Sequence, residues 1–92
     1  MDIRVRYCAQ GRRALGIDRE ILSVEDGAAP AAVLERLAAL HGAGVGRMFL
    51  DANGRAQPSV LLFVDGEQVS VHSTQALKHN DELEILLPMS GG

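Results

Sequence analysis

The residues of this chain with the plainest chemistry to offer are Ser90, Gly91 and Gly92. Glycine lacks a Cβ, so two in succession can thread a channel that excludes any side chain. The group they deliver is an α-carboxylate on a thin stalk. A carboxylate is a poor electrophile, but adenylation by ATP turns it into a mixed anhydride that sulfide, a thiol or an amine can attack. Chain ends are commonly frayed and glycine-rich, so a diglycine alone says little. The residues before it say more. Asp81-Glu82 is a turn pair that leads into the apolar run of residues 83–87, and Pro88 follows. Proline has no N–H and cannot continue a ladder, so strand pairing is expected to stop there. Met89, Ser90, Gly91 and Gly92 remain. Extended at about 3.3 Å each, they reach on the order of 13 Å from the body. Strand, proline and diglycine together read as a flexible delivery arm, with Gly92 as the residue to be activated.

Other candidates are weaker. Cys8 is the single cysteine, and it alternates out of phase with Ile3, Val5 and Tyr7, which places it on a surface. His41, His72 and His79 have no HxxxH or HxH spacing, so neither a metal site nor a Cys–His pair is expected, and no residue is assigned a catalytic role. Gly42-Ala43-Gly44-Val45-Gly46 follows a helical pattern and lacks a Gly-Lys-Ser/Thr continuation, so it is not a phosphate loop. Arg4, Arg6, Arg12 and Arg13 form a small basic cluster, either a solvated face or a complement to acidic groups on a partner.

The bulk properties exclude several classes. Net charge is −3, Lys78 is the one lysine, and the aromatic residues are one Tyr and two Phe. Nucleic acid is therefore not an expected partner, since phosphate binding needs clustered Lys and Arg and single strands need stacking platforms. No apolar run approaches the length of a membrane span. Met1-Asp2-Ile3-Arg4 lacks the basic-then-apolar layout of a signal peptide. A single cysteine cannot form an internal disulfide, which fits a cytoplasmic setting. With 92 residues and 47% hydrophobic content, one folded domain is expected. It should run over residues 1–88, with residues 89–92 as the tail.

The elements that must position the arm follow from periodicity. Ile3, Val5 and Tyr7 alternate with polar neighbours, a strand with one buried face. Gln10-Gly11-Arg12-Arg13 should be a turn or loop. Residues 17–24 read as a second strand. Residues 30–41 read as a helix, with Pro30 in the first turn and an apolar stripe of Val33, Leu34, Leu37 and Leu40. Gly42 is placed to end it in the left-handed conformation. Residues 42–59 look irregular. The continuous apolar run of residues 60–64 predicts a central strand covered on both faces. Asp65-Gly66 is a hairpin turn into a short strand near residues 68–71. Leu77 reads as an apolar plug, and residues 83–87 as the last strand. One helix and five strands in this order are best satisfied by an α+β, ubiquitin-like β-grasp: a mixed sheet around one main helix, its first and last strands parallel neighbours.

On these residues the chain resembles a known family. The stretch Tyr7-Cys8-Ala9-Gln10-Gly11-Arg12-Arg13-Ala14-Leu15-Gly16 is similar to the first strand and loop of the small sulfur-carrier subunits of molybdopterin synthase. Asp81 to Gly92, with its turn, strand, proline and diglycine, is similar to their ending. This is the sulfur-carrier family of MoaD/ThiS type, which includes carriers of thiamine and cysteine biosynthesis and is related in fold to ubiquitin. Cys8 stands where many relatives carry an aromatic residue, and Arg13 where many carry Glu. The resemblance implies a carrier rather than an enzyme, with no cofactor of its own. A partner adenylyltransferase of the ubiquitin-activating kind uses ATP on Gly92. A sulfur donor converts the adenylate to a thiocarboxylate, and a sulfur-accepting synthase receives the sulfur. It also implies docking through apolar positions near the tail, with Leu86, Cys8 and Val69 as the candidates. The same activation serves a ubiquitin-like modifier joined through Gly92 to lysines. Two further readings are a β-grasp binding module with an inert tail and a small enzyme using Cys8.

Overall fold

The structure is a computed structural model and describes residues 1–87. The expected strand stop at Pro88 and the arm of Met89, Ser90, Gly91 and Gly92 lie outside the described residues. The order of elements is β1 (Asp2–Ala9), α1 (Gln10–Leu15), β2 (Arg19–Ser23), α2 (Pro30–His41), α3 (Ala43–Phe49), β3 (Leu61–Val64), β4 (Glu67–Val69) and β5 (Glu82–Leu87). The strands form one sheet in the order β2-β1-β5-β3-β4. β1 and β5 run parallel, and the remaining pairs are antiparallel. This is the expected β-grasp, with the last strand inserted at its centre.

Alternation puts one face of each strand inward. Ile3, Val5 and Tyr7 of β1 and Leu83, Ile85 and Leu87 of β5 are all buried, and Leu62 of β3 joins them. α2 lays Val33, Leu34 and Leu37 onto that face, each fully buried. Each such side chain contributes roughly 1.5–3 kcal/mol of burial. Leu77 is buried as the expected plug, and its N–H donates to the Ala28 carbonyl at 2.8 Å. At the β3–β4 turn, Asp65 and Gly66 take φ of 49° and 89°. Two successive positive φ values make the primed turn that matches strand twist.

The fold corrects several expectations. Residues 10–13 are not a loop: Gln10–Leu15 is a short helix, closed by Gly16 in the left-handed conformation at φ 74°. Leu40 does not complete the α2 stripe and is 51% exposed. At 100° per residue it lies only about 20° from Val33 around the axis, so its place in the last turn rather than rotation leaves it open, while His41 of the same turn faces β2. Gly42 ends α2 at φ 92° and ψ 177°, outside the left-handed helical region. The stretch called irregular contains α3, whose Phe49 is fully buried. α3 crosses α2 closely enough that a Cβ on Gly46 would meet the Ala38 Cβ at 3.2 Å. Finally, β3 is an interior strand, flanked by β5 and β4, but it is not covered on both faces, since Leu61 points out.

Candidate functional site

β5 carries the root of the tail and is hydrogen-bonded on both sides. Its start is tied down by three hydrogen bonds, one to β1 and two to Asp65 at the end of β3. The Arg4 N–H donates to the Asp81 carbonyl at 2.9 Å, the Asp65 N–H to the Glu82 carbonyl at 2.9 Å, and the Glu82 N–H to Asp65 Oδ1 at 3.0 Å. The residue next to the tail, Leu87, is buried and pairs with Ala9 across the parallel ladder. Whatever follows Leu87 therefore starts from a fixed point at the centre of the sheet.

The outward positions of β5 are Glu82, Glu84 and Leu86, and register lines them up with their neighbours. Cys8, Leu86 and Leu61 form one rung across β1, β5 and β3, and Arg6, Glu84 and Phe63 form the next. Arg4 and Glu82 form a third, which Ile21 of β2 extends. The face thus changes character along its length. Ion pairs at the start of β5, Arg4–Glu82 at 3.6 Å and Arg6–Glu84 at 3.4 Å, give way to an apolar end at the tail root. Exposed pairs of this kind contribute at most about 1 kcal/mol each, so they orient side chains more than they stabilise. Leu61 is 39% exposed, while Cys8 and Leu86 are half-buried.

The expected docking residues separate accordingly. Leu86 and Cys8 are direct partners on this open face. Val69 is not on it: it pairs with buried Leu62 and packs against the core from the other side of the sheet. Leu61 and Phe63 belong to the face and were not singled out from sequence. The signal was there in the unbroken apolar run, which in an antiparallel strand leaves every second apolar residue facing outward.

Cys8 is not set up as a nucleophile. Burial pushes its thiol up from the ordinary value and the Glu84 carboxylate adds to that, with Arg6 and Arg12 offsetting part of it. A thiol so disfavoured as thiolate is less reactive at neutral pH. Among the described residues no cluster of His, Cys, Asp and Glu is placed to hold a metal ion. Among the described residues no helix is long and apolar enough to cross a membrane.

On the inner side, Glu20 Oε2 accepts from the Tyr7 hydroxyl and, at 2.7 Å, from His41 Nε2. The Tyr7 ring meets His41 edge-on and stacks on Phe49, each at a centroid distance of 6.5 Å. This network joins β1, β2, α2 and α3. Its members are 13 and 21 residues apart in sequence, and no local pattern reveals it.

A mixed sheet grasping one main helix, with its last strand central, defines the ubiquitin-like class. Within that class the chain belongs to the ThiS family, whose model matches residues 5–92. It is 30% identical to the molybdopterin synthase sulfur carrier subunit of Chlamydomonas reinhardtii over 92 residues, covering all of both chains. SAMP1 from Haloferax volcanii has a similar structure, with a TM-score of 0.81, 24% identity and full coverage of both chains. The small archaeal modifier protein 1 of Methanosarcina acetivorans gives a TM-score of 0.73 at 26% identity, covering 99% of this chain and 96% of that one.

Proposed function

We propose that this chain is a sulfur carrier that is not itself an enzyme. The C-terminal carboxylate of Gly92 is adenylated by a partner that uses ATP, and a sulfur donor converts it to a thiocarboxylate. A second partner, a synthase, accepts the sulfur. The observation that carries the reading is the rung Cys8–Leu86–Leu61, an open apolar strip beside the root of a proline–diglycine segment. A partner that covers this strip can fix the body while the tail enters its active site. The relative in Chlamydomonas, named as a sulfur carrier subunit, supports the same reading.

The chemistry is consistent with the residues available. In the acyl adenylate the Gly92 carbonyl carbon is bonded to a good leaving group. Sulfide attacks, a C–S bond forms, the C–O bond to AMP breaks, and AMP leaves with the electron pair. The thioacid is more acidic than an alkyl thiol and is ionised at neutral pH, so it is a ready sulfur nucleophile. Attachment to a folded body keeps it from diffusing away.

A second reading is a modifier, in which a lysine amine of another protein attacks the same adenylate. The names of the archaeal modifier proteins of similar fold favour it. The test uses the Cys8→Ser variant, which has no thiol of its own. Recovered from its own host and treated with iodoacetamide at neutral pH, it should be alkylated only on the peptide that ends in Gly92. An unlabelled tail, with Gly92 joined to lysines of other proteins, rejects the carrier and favours the modifier.

A further inference from the structure

We infer that β2 is a self-pairing edge: a second copy of this chain lays its own β2 antiparallel against the first, and the two sheets become one. β2 is an outer strand, with β1 as its one strand neighbour. Its register pairs Val5 with Glu20 and Ile3 with Leu22, and the Tyr7 and Val24 N–H groups extend the ladder by donating to the Asp18 and Met1 carbonyls. The backbone of Asp18, Glu20, Leu22 and Val24 therefore faces β1, and that of Arg19, Ile21 and Ser23 points away from the sheet. An outer strand with open N–H and C=O groups is a template for another chain. Ile21 stands in the middle of it and is 63% exposed, more than any other large apolar side chain among the described residues.

The side chains along this edge match a copy of themselves. From Arg19 through Ile21 to Glu25 the order is basic, apolar, acidic. Two such strands laid antiparallel about a two-fold axis at Leu22 set Arg19 of each opposite Glu25 of the other. The same register sets Ile21 opposite Ser23, so their outward backbone groups exchange hydrogen bonds, and it brings the two Ile21 side chains to diagonal positions on one face. Among the described residues neither Arg19 nor Glu25 has an ion-pair partner in its own chain.

The flank of α2 is self-complementary about the same axis. A hollow of about 760 Å³ lies between the end of β2 and this flank, with Ala32, Glu35, Arg36 and Ala39 on the helix side. A two-fold axis midway between Glu35 and Arg36 sets each against the other's counterpart in the second copy, and Ala32 on the side of Ala39. Both charges are exposed and, among the described residues, unpaired. α2 begins beyond the end of β2 and closes with His41 against Glu20 near its start, so helix and strand run in opposite directions. Counted from that contact, Leu22 lies about 7 Å along the strand and the midpoint of Glu35 and Arg36 about 8 Å along the helix. One axis thus serves both patterns, which come from separate stretches of sequence. Alanine at 32 and 39 leaves the space between the two helices to the longer charged side chains. The Cys8–Leu86–Leu61 strip runs across β1, β5 and β3, away from this edge, and stays open in the dimer.

The experiment is sedimentation equilibrium of the full chain over a wide range of concentration, with amide hydrogen exchange read on the same samples. The wild type should pass reversibly from monomer to dimer, and the Ile21 and Ser23 amides should become protected as the dimer forms. Arg19→Glu and Glu25→Arg should each raise the dissociation constant at least tenfold, because both symmetry-related ion pairs become like-charge pairs. Arg19→Glu combined with Glu25→Arg restores opposite charges in each pair and should recover the wild-type constant. Both positions are exposed, so circular dichroism should be that of the wild type throughout. A monomer at every concentration overturns the inference. So does a dimer whose Ile21 and Ser23 amides stay unprotected, or one that the combined variant does not restore. Protection of these amides that appears only when an extended peptide from another protein is added gives the edge to that partner and overturns the inference as well.

Discussion

Cys8 and Leu86 are direct partners on the two parallel strands at the middle of the sheet, both on the face that α2 leaves open. One residue either way, Tyr7, Ile85 and Leu87 are buried on the opposite face. This alternation separates two kinds of damage within a single strand. Leu86→Asp should keep the circular dichroism spectrum of the wild type and lower affinity for the activating partner at least tenfold. The neighbouring Ile85→Asp buries an unpaired carboxylate, at a cost of several kcal/mol, and should unfold the domain. If Leu86→Asp unfolds as well, the docking assignment fails.

The tail is expected to be dispensable for stability. Deleting Gly92, or appending one bulky residue after it, should move the thermal midpoint by less than about 1 °C, because ΔΔG near zero leaves Tm unchanged. Adenylation, followed as ATP–pyrophosphate exchange with the activating partner, should vanish. Normal exchange with the extended chain contradicts the proposed chemistry.

Tyr7 should make the protein alkali-sensitive. Burial first, and then the hydrogen bond to Glu20, push its phenol well above its ordinary value of 10.0. Above pH 10 the unfolded chain therefore loses this proton while the folded chain keeps it. The unfolded state then binds fewer protons, so stability falls as pH rises. The contribution is fully present below pH 10 and is lost at up to about 1.4 kcal/mol per pH unit above it. Urea denaturation at pH 8 and pH 11 should show a smaller loss for Tyr7→Phe than for the wild type. Equal slopes for the two would mean that Tyr7 titrates normally in the fold.

Gly46 allows α3 to cross α2 against Ala38. Gly46→Val puts a branched side chain where a single Cβ is already tight at 3.2 Å. Overpacking of this kind costs about 1–3 kcal/mol. The thermal midpoint should fall by roughly 4–8 °C for each kcal/mol lost, and adding Ala38→Gly should recover part of it. An unchanged midpoint would mean that the two helices separate freely.

Local chemistry alone determined a good deal. The alternation of Ile3, Val5 and Tyr7 set the inward face of β1, Pro30 and the apolar spacing set α2, and Asp65-Gly66 set the hairpin. The same phase rule put Leu86 and Cys8 outward. These features depend on residues within one or two turns of each other, so the chain order is enough to read them. The parallel pairing of β1 with β5 followed from the order of elements.

Tertiary packing decided the rest. α1 and α3 were hidden because their glycines weigh against a helix, and contacts with the sheet and with α2 outweigh that preference. Val69 had no clear phase in a three-residue strand, and only its pairing with Leu62 turns it to the core side. The run of residues 60–64 looked doubly covered, but no second layer exists among the described residues, so Leu61 and Phe63 complete an open face. The Tyr7–Glu20–His41 network unites three elements across long sequence separations. Which side chains become neighbours there is settled by how α2 lies on the sheet, and a one-dimensional pattern does not encode that crossing.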